Sequence, residues 1–93
     1  MVVGVIGWEI QVFDARSLKE KRRVVKSLKE RLQSRFNLSV AETGHQDVWQ
    51  RAEITACIVA TDRRFAESVL DKADALVAGE GLGRIIDSYR TFY

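Results

Sequence analysis

Residues 16–36 read RSLKEKRRVVKSLKERLQSRF. Leu18, Val25, Leu28, Leu32 and Phe36 recur at helical spacing, with Val24 at the edge of the same apolar stripe. Ser17 and Glu20 stand three apart, as in a capping box, so the Ser17 hydroxyl is expected to accept from the Glu20 N–H while the Glu20 carboxylate reaches back. Asn37, directly after Phe36, suits the left-handed residue that closes a helix. The stretch predicts one long helix that docks its stripe on a core, and the flanking segments must supply that core.

Upstream, Val2–Phe13 (VVGVIGWEIQVF) alternates at period two, with Ile6, Trp8, Ile10 and Val12 on one side and Glu9 and Gln11 on the other. Its β-branched and aromatic content predicts a strand, apolar on both faces near its start and therefore central. Gly4 and Gly7 mark a bulge or a close approach. Downstream, 37–43 is a short second strand with Leu38 and Val40 as core contacts, and 44–48 a polar hairpin loop. Residues 49–61 form a third strand whose Ala52, Ile54, Ala56 and Ile58 share the core face. Thr61 or Asp62 caps a second helix over 63–78, carrying Phe65, Ala66, Val69, Leu70, Ala73, Leu76 and Val77 at helical spacing. Gly79-Glu80-Gly81 ends it, and 82–93 returns as a fourth strand. The order is βαββαβ, which predicts an α+β, ferredoxin-like domain: a four-stranded antiparallel sheet with two helices on one face.

Ninety-three residues, 46% hydrophobic and 30% charged, suit a single domain over 1–93 with one core. A lone cysteine, Cys57, allows no internal disulfide, and its alternating apolar neighbours suggest a packing role. No stretch approaches the roughly 20 apolar residues of a membrane span. The start lacks the basic flank of a signal peptide, and the expected location is the cytoplasm.

Charge is the feature that composition does not explain. Residues 16–35 hold nine basic residues against Glu20 and Glu30, a local net of +7 in a chain whose total is +2. Lys19, Arg22, Arg23, Lys26 and Lys29 lie on the outward side of the helix. Lys19–Arg23 and Arg22–Lys26 are like-charged i,i+4 pairs, each unfavourable by roughly 0.2–0.5 kcal/mol. Arg16, Lys19 and Lys21 also crowd the positive end of the helix dipole. Two readings follow: a solvated face neutralised by acids elsewhere in the fold or in a second subunit, or a surface for an anionic partner. Lys21, which projects toward the apolar side, either snorkels to water or is held over an acidic residue or bound anion.

Other constellations are weaker. Glu42, His45 and Asp47 gather around the hairpin, but a mixed polar turn accounts for them, and one histidine and one cysteine make a metal site unexpected. Asp47 suits an Asx turn. His45 with Asp47 would be an orienting pair without a nucleophile, so no catalytic residue and no cofactor is assigned. Trp49 is expected to pack beneath the hairpin; exposed beside Arg51, it would instead anchor an interface. The third strand has none of the aromatics with which an RNA-recognition sheet stacks bases, so helix one is the better surface for RNA, through phosphates. The uncovered sheet face, with Val3, Val5, Cys57 and Val59 beside Glu9, Gln11, Glu53 and Thr55, is either a wetted antiparallel face or the seat of a second copy.

Ser17-Leu18-Lys19-Glu20-Lys21-Arg22, the run from Arg35 to Glu42 and the run from Asp47 to Ala52 resemble, in order, the signature blocks of the YlxP-like bacterial family. The resemblance spans nearly the whole chain. It implies a ferredoxin-like fold and, because the family's genes often lie near those for translation initiation and ribosome maturation, RNA or a ribosomal particle as partner. It carries over no catalytic residues.

The expectation is therefore a non-catalytic RNA- or ribosome-associated module that binds phosphates through Lys19, Arg22, Arg23, Lys26 and Lys29. The alternative is a protein-interaction or self-assembling domain whose basic helix docks an acidic protein surface. Trp49 and Arg51 are its candidate interface, and a homodimer would form through the open sheet face or an edge strand.

Overall fold

The computed structural model describes residues 1–93. Six elements follow in chain order: β1 (Val2–Val12), α1 (Leu18–Phe36), β2 (Ser39–Gly44), β3 (Arg51–Ala60), α2 (Arg63–Gly79) and β4 (Gly83–Phe92). The strands form one antiparallel sheet in the order β2-β3-β1-β4, so β1 and β3 are central, as their length and apolar content predict. Both helices pack on one face, α1 over β2 and beside α2, and α2 over β1 and β3. This is the ferredoxin-like arrangement.

The period-two reading of the central strands holds residue by residue. Ile6, Trp8, Ile10 and Val12 of β1 and Ala52, Ile54, Ala56 and Ile58 of β3 are buried under the helices. Val25, Leu28 and Leu32 of α1 and Ala66, Leu70, Ala73 and Val77 of α2 meet them, while Leu18, Val24 and Phe36 are only part-buried at the margin. Burying a side chain such as Leu32 or Leu70 contributes about 1.5–3 kcal/mol. Trp8, wholly buried, also needs a partner for its indole N–H, and donates it to Asp74 Oδ1 of α2 at 2.8 Å.

The helix ends are built locally. Glu20 N donates to Ser17 Oγ at 3.1 Å, and Glu20 Oε2 accepts from the Arg16 N–H at 2.6 Å, one residue before the expected return contact. Asn37 takes φ 50° and ψ 47° at the end of α1. Asp62, rather than Thr61, caps α2 by accepting from Phe65 N at 2.8 Å. Glu80 is the C-cap of α2 and Gly81 follows it at φ 72°, the left-handed position for which a glycine was expected.

Two expectations need correction, the start of β3 and the place of Phe65, and one open alternative is decided. Gly4 and Gly7 mark close approaches and not bulges: Gly4 admits Leu70 and Phe92, and a Cβ on Gly7 would fall 2.1 Å from Cε1 of Tyr89. The bulges lie between Glu9 and Ile10 opposite β4, and between Glu42 and Gly44 on β2. The third strand starts at Arg51, after a bend at Trp49 and Gln50, although the Gln50 carbonyl still accepts from Val12 N at 2.9 Å. Phe65 is 55% exposed, since the first turn of α2 carries it to the margin of the core and not into it.

Candidate nucleic-acid interface

Nineteen residues at about 1.5 Å each make α1 roughly 28 Å long. Lys19, Arg22, Arg23 and Lys26 are exposed along it, and Lys29 is half-buried. The chain's ion pairs use Lys21, Arg31, His45, Arg51, Arg63 and Arg90, so none of these five cations has a carboxylate within 4.0 Å. Of the nine basic residues in 16–35, the fold neutralises two: Lys21 through Glu42 and Arg31 through Glu80. No acid of the same chain forms a close ion pair with the outward stripe, although exposed Glu30 lies within it. The structure places the five predicted residues together on one open surface.

Lys21 resolves differently from its neighbours. Its side chain is wholly removed from solvent, its Nζ lies 2.6 Å from Glu42 Oε2 on β2, and the same Nζ donates to the carbonyl of His45. It does not snorkel. A buried ammonium needs a counter-charge and acceptors, and the hairpin supplies both.

The hairpin residues do not converge on an ion. Glu42 points to the helix layer, the His45 ring crosses to the open face of the sheet, and the Asp47 carboxylate takes part in no hydrogen bond. The expected Asx turn is replaced by a backbone bond from Val48 N to His45 O at 3.0 Å, with His45 itself at φ 59°. On the open face Glu9 Oε1 accepts from Arg51 Nη2 at 2.8 Å and meets His45 Nε2 at 2.5 Å. Those two bonds, the Arg51 one larger, hold the Glu9 carboxyl below the ordinary glutamate range. Glu9 pairs across the sheet with Glu53 on one side and Asp87 on the other, so three carboxylates form a row. Glu53 is bonded by Thr43 Oγ1 at 2.6 Å and Asp87 by Ser88 N at 2.9 Å. His45 thus orients on Glu9, not on Asp47.

Trp49 is 39% exposed, in the bend before β3, against the expectation that it packs beneath the hairpin. Arg51 is committed to Glu9. The open face also has aromatics that the third strand lacks: β4 brings Tyr89 over Gly7, and Tyr93 exchanges backbone bonds with Val3. Tyr89, Tyr93 and Val59 are all exposed there. An apolar void of about 20 Å³ between α1, α2 and the sheet has room for about one water.

Comparison with known proteins shows the family of the chain. The family model described as "Protein of unknown function (DUF503)" matches residues 3–90. The chain belongs to that family. A relative, "Uncharacterized protein YlxP" of Bacillus subtilis (strain 168), is 38% identical over 76 residues, which are 82% of this chain and 83% of the relative. The YlxP-like resemblance is borne out. Among solved structures, protein YJCS from structural genomics matches with a TM-score of 0.55 at 10% identity, over 96% of each chain, a likeness of fold alone. A de novo designed protein with a ferredoxin fold aligns over all of this chain and 83% of its own, at 19% identity and a TM-score of 0.48. No helix is long and apolar enough to cross a membrane.

Sequence reasoning missed the Glu9–His45–Arg51 group and the tyrosines of β4. The first had a signal, since antiparallel register sets Gln11 opposite Arg51 and brings Arg51 one step from Glu9. The second had none, because the β4 register shifts at an unforeseeable bulge.

Proposed function

We propose that this chain is a non-catalytic, cytoplasmic module that binds RNA, as free RNA or in a ribosomal particle, through phosphates laid along Lys19, Arg22, Arg23, Lys26 and Lys29 of α1. The observation that carries the reading is that these five cations share one surface and none is paired within the chain. Crowding like charges costs free energy in isolation, and a polyanion reverses that cost by releasing its condensed counterions.

The test is a salt titration of binding to ribosomal RNA fragments. Five engaged phosphates give a slope of about −4 in log K against log salt. Reversing all five charges should abolish binding at low salt, and unchanged binding in that variant overturns the reading.

A second reading has its own observation. Val59 is 69% and Tyr93 75% exposed on the open sheet face, which suits a second copy, with the basic helix free for an acidic protein surface. A stable complex that survives nuclease and contains only protein favours it.

A further inference from the structure

Between the end of α1 and the start of α2 lies an open groove of about 590 Å³. Phe36, Phe65 and Val69 form its apolar lining, and Arg35 and Lys72 its charged lining. Neither cation is paired with a carboxylate of the chain. Phe65 is more than half exposed, although its position in the α2 pattern would have placed it in the core. Gln33 and Ser34, which also line the groove, continue α1 one turn beyond Lys29, so the basic surface leads into it.

From this juxtaposition we infer that the groove seats an unstacked base on Phe65, between Arg35 and Lys72, and that the RNA bound by α1 is single-stranded there. The inference rests on the phosphate-binding reading of α1 and adds the substrate class. Single-strand binders combine a cationic track for the backbone with exposed aromatic faces on which bases stack. A duplex keeps its bases stacked inside and offers Phe65 nothing to cover.

The other exposed aromatics do not fit this role. Tyr89 and Tyr93 share their face with the row Glu53, Glu9 and Asp87, whose charge opposes phosphate, and the Tyr89 ring already covers Gly7. Trp49 stands outside the ladder at the hairpin, two residues before Arg51, which is bonded to Glu9. Phe65 shares its groove with two unpaired cations, Arg35 and Lys72, and with no carboxylate.

The experiment measures anisotropy of a labelled single-stranded oligoribonucleotide and of the same strand annealed to its complement. The proteins are the wild type, Phe65→Ala, Phe65→Trp and the five-charge reversal, each checked by thermal melting. The wild type should prefer the single strand. Phe65→Ala should weaken single-strand binding by at least about fivefold while leaving duplex binding and the salt slope unchanged. Phe65→Trp should restore the preference. Equal wild-type affinity for both forms, or a Phe65→Ala variant that binds the single strand like wild type, overturns the stacking site and leaves the phosphate reading standing. Absence of RNA binding by the wild type at low salt overturns both.

Discussion

Lys21 Nζ lies 2.6 Å from Glu42 Oε2, and through this contact the first turn of α1 is tied to the edge strand β2. The contact is ionic and not a well-aligned hydrogen bond, since Glu42 Oε2 has no hydrogen-bond partner of good geometry. The second acceptor of the ammonium is the carbonyl of His45, so one side chain holds the end of β2 and the first residue of the hairpin loop.

Lys21→Met should therefore destabilise the fold by about 3 kcal/mol, because a largely buried carboxylate loses its only counter-charge. The double variant with Glu42→Leu should recover most of that loss. Urea unfolding reads both: the midpoint falls in the single variant with m unchanged, and returns in the double. A single variant that unfolds like wild type would show that the pair is dispensable.

Glu9 makes stability depend on pH in a defined direction. Its folded carboxyl titrates below the ordinary glutamate value because Arg51 and His45 bond the ionised form. A group depressed on folding stabilises the fold above its unfolded pKa, and that contribution disappears as pH falls through the lower folded value. Melting temperature should therefore drop on acidification below about pH 4.5 more steeply for wild type than for Glu9→Gln. Parallel pH profiles would contradict the assignment.

Two glycines should respond differently to alanine. At Gly7 the obstacle is the Tyr89 ring, 2.1 Å from the added Cβ, and a side chain can rotate away. At Gly83 it is the Gln11 carbonyl oxygen, 2.4 Å away, which belongs to the β1 backbone. Gly7→Ala should cost about 1–2 kcal/mol and become neutral in a Tyr89→Ala background. Gly83→Ala should cost about 3 kcal/mol in either background. Thermal melts of the four variants separate the cases, and rescue of Gly83→Ala by Tyr89→Ala would refute the distinction.

Legibility followed the range of the forces. Capping by Ser17 and Asp62, closure at Asn37 and the faces of β1 and β3 depend on neighbours within four residues, and all were readable. The outward placement of Lys19, Arg22, Arg23 and Lys26 follows from the same helical period. Phe65 and Trp49 were misplaced because exposure at the end of an element depends on where the partner layer stops, which no local pattern encodes. The destination of Lys21 was open for the same reason. Its alternatives differed only in whether an acid from another strand arrived beneath it, and Glu42 does.

Residues 16–35 carry +7 and the rest of the chain −5, and α1 lies over β2, at one edge of the sheet. Such a separation gives the molecule a large permanent electric dipole. Near any polyanion the field exerts a torque that turns α1 to the front before contact, so the orientation of the encounter is selected during approach. Beyond about 8 Å at physiological ionic strength that torque is screened. The domain behaves as a compass needle only over the last few water layers, where salt sets how many collisions arrive facing the right way.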